Sequence, residues 1–172
     1  MTPVSEIDLS PSDTRAVYPS LAGKRVIVTG GGSGIGEGVV EGFVRQGARV
    51  AFIDIAEEAS RALVERLTPG AAHAPLFRRV DLRDLDALGD AIAGFESELG
   101  GIDVLVNNAA NDDRHSVEEV TPAYWDDRMQ VNLRHLFFAS QAAIPAMKRA
   151  GGGVVINFGS ISWHLALDNL VL

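Results

Sequence analysis

The segment Val26–Gly36 reads VIVTGGGSGIG and decides the fold of this chain. A β-branched run ends at three consecutive glycines, and apolar residues then recur at helical spacing until Gly47. Glycines in a strand-to-helix turn let backbone N–H groups approach a pyrophosphate, and the N-terminal end of the helix attracts the same anion. The segment therefore predicts a dinucleotide-binding unit, whereas a glycine turn without this context would indicate only an ordinary connection.

Composition narrows the possible functions. The chain has 172 residues, a formal net charge of −8 and no cysteine. The acidic excess argues against nucleic-acid binding, which needs a basic face, and the absence of cysteine excludes disulfides and thiolate metal sites. We expect no metal, no membrane association because no stretch has the apolar length of a span, and a cytoplasmic location. Residues 1–20 are expected to form a flexible leader rather than a secretory signal, followed by one nucleotide-binding domain over 21–172.

Strands and helices alternate along the rest of the chain. We predict strands at Lys24–Thr29, Arg49–Asp54, Phe77–Asp81, Ile102–Val106 and Val154–Phe158. After the helix that follows the glycine turn, further helices are predicted at Glu57–Leu67, Leu85–Leu99 and Pro122–Arg149. This alternation indicates the α/β class, with a parallel sheet covered on both faces. Right-handed crossovers make it a Rossmann-type, doubly wound parallel sheet with the strand order 3-2-1-4-5.

Carboxylates at two predicted strand ends are candidates for cofactor binding. Asp54 ends the second strand, twenty-four positions after Gly30. A carboxylate there can accept both adenosine ribose hydroxyls and repels a 2′-phosphate, and the turn Gly31–Ser33 offers no cation, so NAD is favoured over NADP. A strand-end carboxylate in solvent is the alternative. Asp81 and Leu82 could hold an adenine edge at the same rim, although Asp81 could instead cap the next helix.

Several motifs stand in the order and spacing of the short-chain dehydrogenase/reductase family. They are Thr29-Gly30-x-x-x-Gly34-x-Gly36, Asp81, Asn107-Asn108-Ala109, Asn132 and Ser160. The resemblance extends from Leu21 to the last residue, with Ala110 where the family usually has glycine. It implies that Asn108 lines the nicotinamide-ribose pocket. It also implies that the glycine turn contacts NAD through Gly30, Ser33, Gly34, Ile35 and Gly36.

The same resemblance implies catalytic roles for two residues. Ser160 resembles the serine that hydrogen-bonds the reacting oxygen, and Asn132 resembles the asparagine that holds a water in a proton relay. A serine can also cap a turn, and a helical asparagine can satisfy a local carbonyl. The family's acid–base tyrosine, with a lysine four positions later, is expected directly after Leu172. We therefore expect the chain to be the N-terminal part of a longer enzyme that is homo-oligomeric when complete.

The loops after the predicted strands suggest a small-molecule substrate. Family members that use NAD to oxidise an aldopentose such as D-xylose at C1 to the lactone resemble this chain in four segments, namely Tyr18–Leu21, Asn111–His115, Asn132–His135 and Ser160–Leu165. Polar residues that follow the fourth and fifth strands are candidate substrate ligands, namely Asn111, His115, Trp163 and His164. A surface loop can also be polar without binding anything. Another sugar, a secondary alcohol, or a nucleotide-binding module without turnover are the alternative interpretations.

Overall fold

The computed structural model describes residues 16–162, 164, 165 and 168. The strands are β1 Arg25–Thr29, β2 Arg49–Asp54, β3 Leu76–Arg79, β4 Val104–Asn107 and β5 Val154–Asn157. The helices are α1 Gly34–Arg45, α2 Glu57–Leu67, α3 Leu85–Leu99, α4 Pro122–Met129 and α5 His135–Arg149. Short 3₁₀ turns occupy Pro19–Leu21, Thr68–Gly70 and Val117–Glu119. Most of the predicted leader, residues 1–15, lies outside the described residues.

The five strands form one parallel sheet in the order β3-β2-β1-β4-β5, as the sequence predicts. Thr29 at the end of β1 pairs with Asn107 at the end of β4, which pairs with Asn157 at the end of β5. The carboxyl ends of these three strands therefore lie level with one another, at the edge where open parallel sheets bind ligands.

Side chains from alternate strand positions build a core on each face of the sheet. On one face, Ile27 and Leu105 pack in a cluster with residues of α3 and α5. On the other, Val28 and Phe52 pack with residues of α1 and α2. Burial on both faces explains why β1 and β2 are almost unbroken apolar runs. None of the helices in the described part of the chain has both the length and the apolar character needed to cross a membrane.

The long helix predicted over Pro122–Arg149 differs from the structure at its centre. A π-helical turn, Gln130–Arg134, separates α4 from α5. Directly after this turn, the Nδ1 atom of His135 lies 2.5 Å from the carbonyl oxygen of Val131. A side chain that takes a carbonyl from the helical ladder is a known cause of such a local change in winding. Asn132 therefore lies in a widened turn and not in a regular helix.

Candidate functional site

The glycine turn joins β1 to α1 at the carboxyl edge of the sheet. The N–H of Gly30 donates to the carbonyl of Ile53 at 2.7 Å, with a φ of 66° at Gly30. A Cβ atom at Gly30 would lie 2.7 Å from Ala109 Cα. A Cβ atom at Gly36 would collide with the carbonyl oxygen of Gly30 and lie 2.6 Å from Asn108 Nδ2. Only glycine therefore lets the turn close against the segment that follows β4.

The first turn of α1 faces the same edge. Ser33 precedes the helix in an extended conformation, and its side chain makes no capping hydrogen bond. Because the first N–H groups of an α-helix lack intrahelical acceptors, this end can bind an anion. The Glu37 carboxylate in this turn pairs with Arg66 at 2.7 Å, which offsets its negative charge. Gly34 begins the helix, and the Ile35 side chain beside it is 70% exposed, whereas Val40 of the same helix is buried.

Asp54 lies half-buried at the end of β2, with both carboxylate oxygens hydrogen-bonded to the backbone. Oδ2 accepts the N–H of Gly32 and Oδ1 accepts the N–H of Ala56, each at 2.8 Å. Because a carboxylate oxygen can accept two hydrogen bonds, each keeps acceptor capacity for a ligand hydroxyl. A cation that the sequence analysis did not anticipate is close in the sheet. Arg79 pairs with Asp54 in the strand register, and its Nε lies 3.8 Å from Glu57 Oε2.

Asp81 lies beyond the end of β3 and is held by Arg83. The N–H of Arg83 donates to Asp81 Oδ1 at 3.0 Å and its Nη2 donates to Oδ2 at 2.6 Å, so this guanidinium lowers the pKa of the carboxyl. The role of N-cap for α3 belongs to Asp84, whose side chain accepts the N–H of Ala87. The Leu82 side chain packs in the core, 8% exposed. Of the two candidates for the adenine edge, Asp81 therefore keeps a partly exposed side chain and Leu82 does not.

Asn108 ties the end of β4 to the glycine turn. Its Nδ2 donates to the carbonyl oxygens of Gly30 and Thr29, at 2.9 and 3.2 Å. The backbone N–H groups of Asn108 and Ala109 donate to the Thr29 hydroxyl at 3.1 and 3.3 Å. The carboxamide of Asn108 thus fixes the position of the turn and of the strand end beside it.

The carboxamide of Asn132 forms two hydrogen bonds with the backbone of Asn111, one as acceptor and one as donor. Oδ1 accepts the N–H of Asn111 at 2.8 Å, and Nδ2 donates to its carbonyl oxygen at 2.9 Å. The partner is thus not a carbonyl of its own helix but a residue of the segment after β4. The Asn111 Oδ1 atom in turn accepts the N–H of Asp113 at 3.1 Å. Asn132 therefore holds the start of this polar segment against the π-helical turn.

His115 lies inside a polar cluster, with 5% of its surface exposed. Its Nδ1 atom is 2.8 Å from the carbonyl oxygen of Asp113 and 2.9 Å from the Tyr124 hydroxyl. The guanidinium of Arg128, also buried, lies over the Tyr124 ring at 5.0 Å from its centroid and donates to Asp127 at 2.7 Å. The structure therefore places His115 beneath the surface of the segment that contains Asn111–His115.

Ser160 and His164 follow β5 and are both exposed. The Ser160 hydroxyl lies 2.6 Å from the Ser162 hydroxyl and accepts the Ser162 N–H at 3.1 Å. The backbone N–H of His164 donates to the carbonyl of Ile161 at 2.9 Å. Trp163 lies outside the described residues. Asn157, which ends β5, accepts the Nδ2 hydrogen of Asn107 at 2.8 Å, so side chains also link the end of β5 to the end of β4.

Besides Arg79, two features of the site were not predicted from the sequence. Arg83 bridges Asp81 and Asp127, and its Nη1 donates to the Asp127 carboxylate at 2.9 Å. His135 is fully buried next to the end of β1. The sequence pattern that could have indicated this burial is the spacing of His135, Ala139 and Ala143, which follow one another at four-residue steps on the core-facing side of α5. Among the described residues, no group of three His, Cys, Asp or Glu side chains could hold a metal ion.

A doubly wound parallel sheet defines a Rossmann-type nucleotide-binding fold when its carboxyl edge carries a glycine turn and polar groups with unused hydrogen-bonding capacity. Residues 24–170 match the family model described as short chain dehydrogenase. The chain belongs to the short-chain dehydrogenase/reductase family.

Similar proteins include two curated bacterial enzymes and a solved structure. The D-xylose 1-dehydrogenase of Caulobacter vibrioides (strain NA1000 / CB15N) is 59% identical over 157 residues, 91% of this chain and 61% of the relative. The Rhizobium meliloti protein named "Probable galactose dehydrogenase GalD" is 50% identical over 153 residues, 89% of this chain and 60% of the relative. The crystal structure of a dehydrogenase/reductase from Sinorhizobium meliloti 1021 has a TM-score of 0.79 at 32% identity, covering 87% of this chain and 59% of that one. The chain thus spans about three fifths of the length of these proteins.

Proposed function

We propose that the chain is the cofactor-binding part of an NAD-dependent dehydrogenase that oxidises an aldopentose such as D-xylose at C1 to the lactone. The geometry at Asp54 carries the cofactor assignment, because a fixed carboxylate at the end of β2 with free acceptor capacity suits a ribose diol. The substrate class rests on the identity of 59% to a protein named D-xylose 1-dehydrogenase.

The residues at the carboxyl edge fit a dinucleotide. Gly36 lies so close to the Gly30 carbonyl that a Cβ atom would not fit, and this close approach would let the turn from Gly30 to Gly36 bring its N–H groups to a pyrophosphate. Asp54 would hold the adenosine ribose, and Asp81 with Leu82 the adenine edge. Asn108 would set the position of the turn beside the nicotinamide ribose. The bound cofactor supplies the hydride acceptor.

We assign the catalytic roles to Ser160 and Asn132. The exposed Ser160 hydroxyl would hydrogen-bond the reacting oxygen of the sugar, and it can donate to this oxygen while it accepts from the Ser162 hydroxyl and N–H. Because the Asn132 carboxamide already holds Asn111, a relay water would use the second lone pair of its Oδ1 or a carbonyl of the π-helical turn.

The substrate would bind where the segments after β4 and β5 meet the carboxyl edge. Asn111, Trp163 and His164 are the candidate ligands there, whereas the buried His115 would have to become exposed to contact the substrate. A hydrogen-bonding surface of this kind suits a polyhydroxylated molecule. Another sugar is the alternative that the relative named for galactose favours. A secondary alcohol remains a further alternative substrate.

We also propose that the complete enzyme is cytoplasmic and homo-oligomeric and binds neither nucleic acid nor membranes. The net charge of −8 supports the lack of nucleic-acid binding, and the lack of cysteine fits a reducing compartment. Exposed apolar side chains along the π-helical turn and α5 support an interface, since Leu133, Phe137 and Ile144 are 55%, 64% and 39% exposed.

NADP is the competing cofactor, because Arg79 stands beside Asp54 in the sheet. A guanidinium at this rim could pair with a 2′-phosphate if it left Glu57. Against this, the Asp54 carboxylate would repel the same phosphate.

Calorimetric titration of the chain with NAD and NADP tests the cofactor, and we expect NAD to bind more tightly. An aldose panel with NAD, assayed on the product of the complete gene, tests the reaction, with D-xylose expected among the best substrates. Tighter binding of NADP would contradict the cofactor assignment. Binding of NAD without oxidation of any aldose would favour another alcohol substrate or a nucleotide-binding module.

A further inference from the structure

The imidazole of His135 connects two parts of the candidate site that are far apart in sequence. His135 is fully buried at the start of α5. Its Nδ1 atom lies 2.5 Å from the carbonyl oxygen of Val131, and its Nε2 atom lies 3.4 Å from the Thr29 hydroxyl. One ring therefore spans from the π-helical turn to the end of β1.

The contacts of the ring define its tautomer. A carbonyl oxygen can only accept, so Nδ1 carries the hydrogen that is donated to Val131. Nε2 then has a lone pair and accepts the hydrogen of the Thr29 hydroxyl. This leaves the lone pairs of the Thr29 oxygen for the N–H groups of Asn108 and Ala109, at 3.1 and 3.3 Å. Burial lowers the pKa of His135, which keeps the ring neutral as this arrangement requires.

The same ring affects the turn that carries Asn132. By taking the carbonyl of Val131, the side chain occupies a group that the helical backbone would otherwise use. Asn132 is the next residue, and its carboxamide holds the backbone of Asn111. A single buried side chain therefore contacts both supports of the segment after β4, namely Thr29 and the π-helical turn.

We infer that His135 is a positioning residue of the candidate site, which aligns the Thr29 hydroxyl and the turn of Asn132 through its Nδ1–H tautomer. Its link to cofactor binding rests on the proposed function, whereas the hydrogen-bond arrangement does not. The test therefore combines measurements that need no cofactor with one that does.

Long-range ¹H–¹⁵N NMR spectra of labelled chain report the tautomer directly. We expect His135 to show a protonated Nδ1 and an unprotonated Nε2 at pH 7. A spectrum with the hydrogen on Nε2, or with rapid exchange between the two forms, would overturn the inference.

Amide hydrogen exchange measures the alignment. The H135F variant keeps the ring volume and removes both hydrogen bonds, so the amides of Asn108, Ala109 and Asn111 should exchange about tenfold faster, as the loss of a buried hydrogen bond implies. In H135N, a short amide can still donate to Val131 but cannot reach Thr29, so only Asn111 should regain protection. His73 lies exposed between α2 and β3, and H73F is the matched control that should leave all three amides unchanged. Unchanged exchange of these amides in H135F would also overturn the inference.

A double-mutant cycle on NAD affinity separates positioning from general destabilisation. H135F and T29V should each weaken NAD binding, and the double variant should be no weaker than the worse single variant, because both act through one hydroxyl. Additive losses, or native affinity in H135F, would contradict positioning through Thr29. If the native chain binds no NAD while the exchange pattern follows expectation, the proposed function fails and the role of His135 in the fold stands.

Discussion

At the carboxyl edge of the sheet, Asp54 and Asn108 are held by backbone groups, whereas at the amino edge Arg25 and Asp103 bind each other through their charged side chains. Asp54 accepts two backbone N–H groups, and Asn108 donates to two backbone carbonyls. At the opposite edge, Arg25 and Asp103 form a double hydrogen bond, with Nη2–Oδ1 at 2.6 Å and Nε–Oδ2 at 2.8 Å. The Arg25 guanidinium also donates to the carbonyl of Gly100 at 2.6 Å.

This difference distinguishes the edge where we propose that the cofactor binds from an edge that stabilises the fold. In the ion pair at the amino edge, each charged side chain is neutralised by the other, so the pair contributes to the stability of the fold. At the carboxyl edge, the backbone orients Asp54 and leaves some of its acceptor capacity unused. Substitutions at the two edges should therefore have different effects, on ligand affinity at one and on stability at the other.

The largest effect is expected from Gly36→Ala. Its Cβ atom would collide with the Gly30 carbonyl oxygen, so the turn must open and its N–H groups move away from the anion site. We expect NAD affinity, measured by calorimetry, to fall by more than about a hundredfold, since several charge-assisted hydrogen bonds to the pyrophosphate would depend on this turn. Gly38→Ala is the matched control because a Cβ atom there meets nothing within 4 Å. Native affinity in Gly36→Ala would show that the close approach is not needed for binding.

A smaller effect, on cofactor preference, is expected from Asp54→Ala. The variant removes the proposed acceptor for the ribose hydroxyls and the charge that would repel a 2′-phosphate, and it leaves Arg79 in place. The ratio of NAD to NADP affinity should fall by about tenfold or more, the usual size of a hydrogen bond to a charged group. Asp103→Asn, at the other edge, should leave this ratio unchanged. An unchanged ratio in Asp54→Ala would remove Asp54 from the cofactor site.

Much of the fold could be predicted because apolar periodicity and glycine breaks report on whole elements. The structure confirms Arg49–Asp54, Glu57–Leu67 and Leu85–Leu99 to the residue, together with the strand order. Periodicity does not register a local widening of a helix, so the turn at Gln130–Arg134 was missed. A contact at this turn, between His135 Nδ1 and the carbonyl of Val131, likewise leaves no periodic signal.

The site could be predicted by position but not by contacts. The polar residues at strand ends, Asp54 among them, do lie at the carboxyl edge, because parallel strands end there together. The burial of His115 could not be read from the sequence, since its contact with Tyr124 comes from a different element. The bridge from Arg83 to Asp127 spans forty-four residues and leaves no local pattern.

At the amino edge, Asp103→Asn should change stability and not binding. Arg25 lowers the pKa of Asp103 from 3.8 to about 2, so its carboxylate stabilises the fold at neutral pH. We expect the free energy of unfolding at pH 7, from urea titration, to fall by about 2 kcal/mol. Because the folded pKa is depressed, this contribution is present above pH 4 and is lost as the pH falls toward 2. The variant and the native chain should therefore converge in acid, while NAD affinity stays the same.

The exposed Asp86 on α3 provides the control, since Asp86→Asn should leave the stability at pH 7 nearly unchanged. A difference between Asp103→Asn and the native chain that persisted at pH 2 would show that the effect does not come from the ionised pair.

The smallest expected effect concerns the outer strand. Val154, Ile156 and Phe158 alternate along β5 and its end and are 54%, 39% and 42% exposed. An edge strand with exposed apolar side chains and unpaired backbone groups is a template for association with another chain. We therefore expect residues 1–172 to self-associate in sedimentation velocity experiments.

Ile156→Thr keeps the β-branched shape that suits a strand and removes apolar surface, so it should shift the association to higher protein concentration by several-fold. Val117→Thr is the matched control, because Val117 is 66% exposed in a 3₁₀ turn away from any strand edge. Equal shifts in both variants would attribute association to apolar exposure in general, and a concentration-independent monomer would remove β5 as its cause. A shift confined to Ile156→Thr would place the contact on β5. One side of this strand pairs with β4, with Ile156 opposite Val106, and on its other side no further strand follows among the described residues.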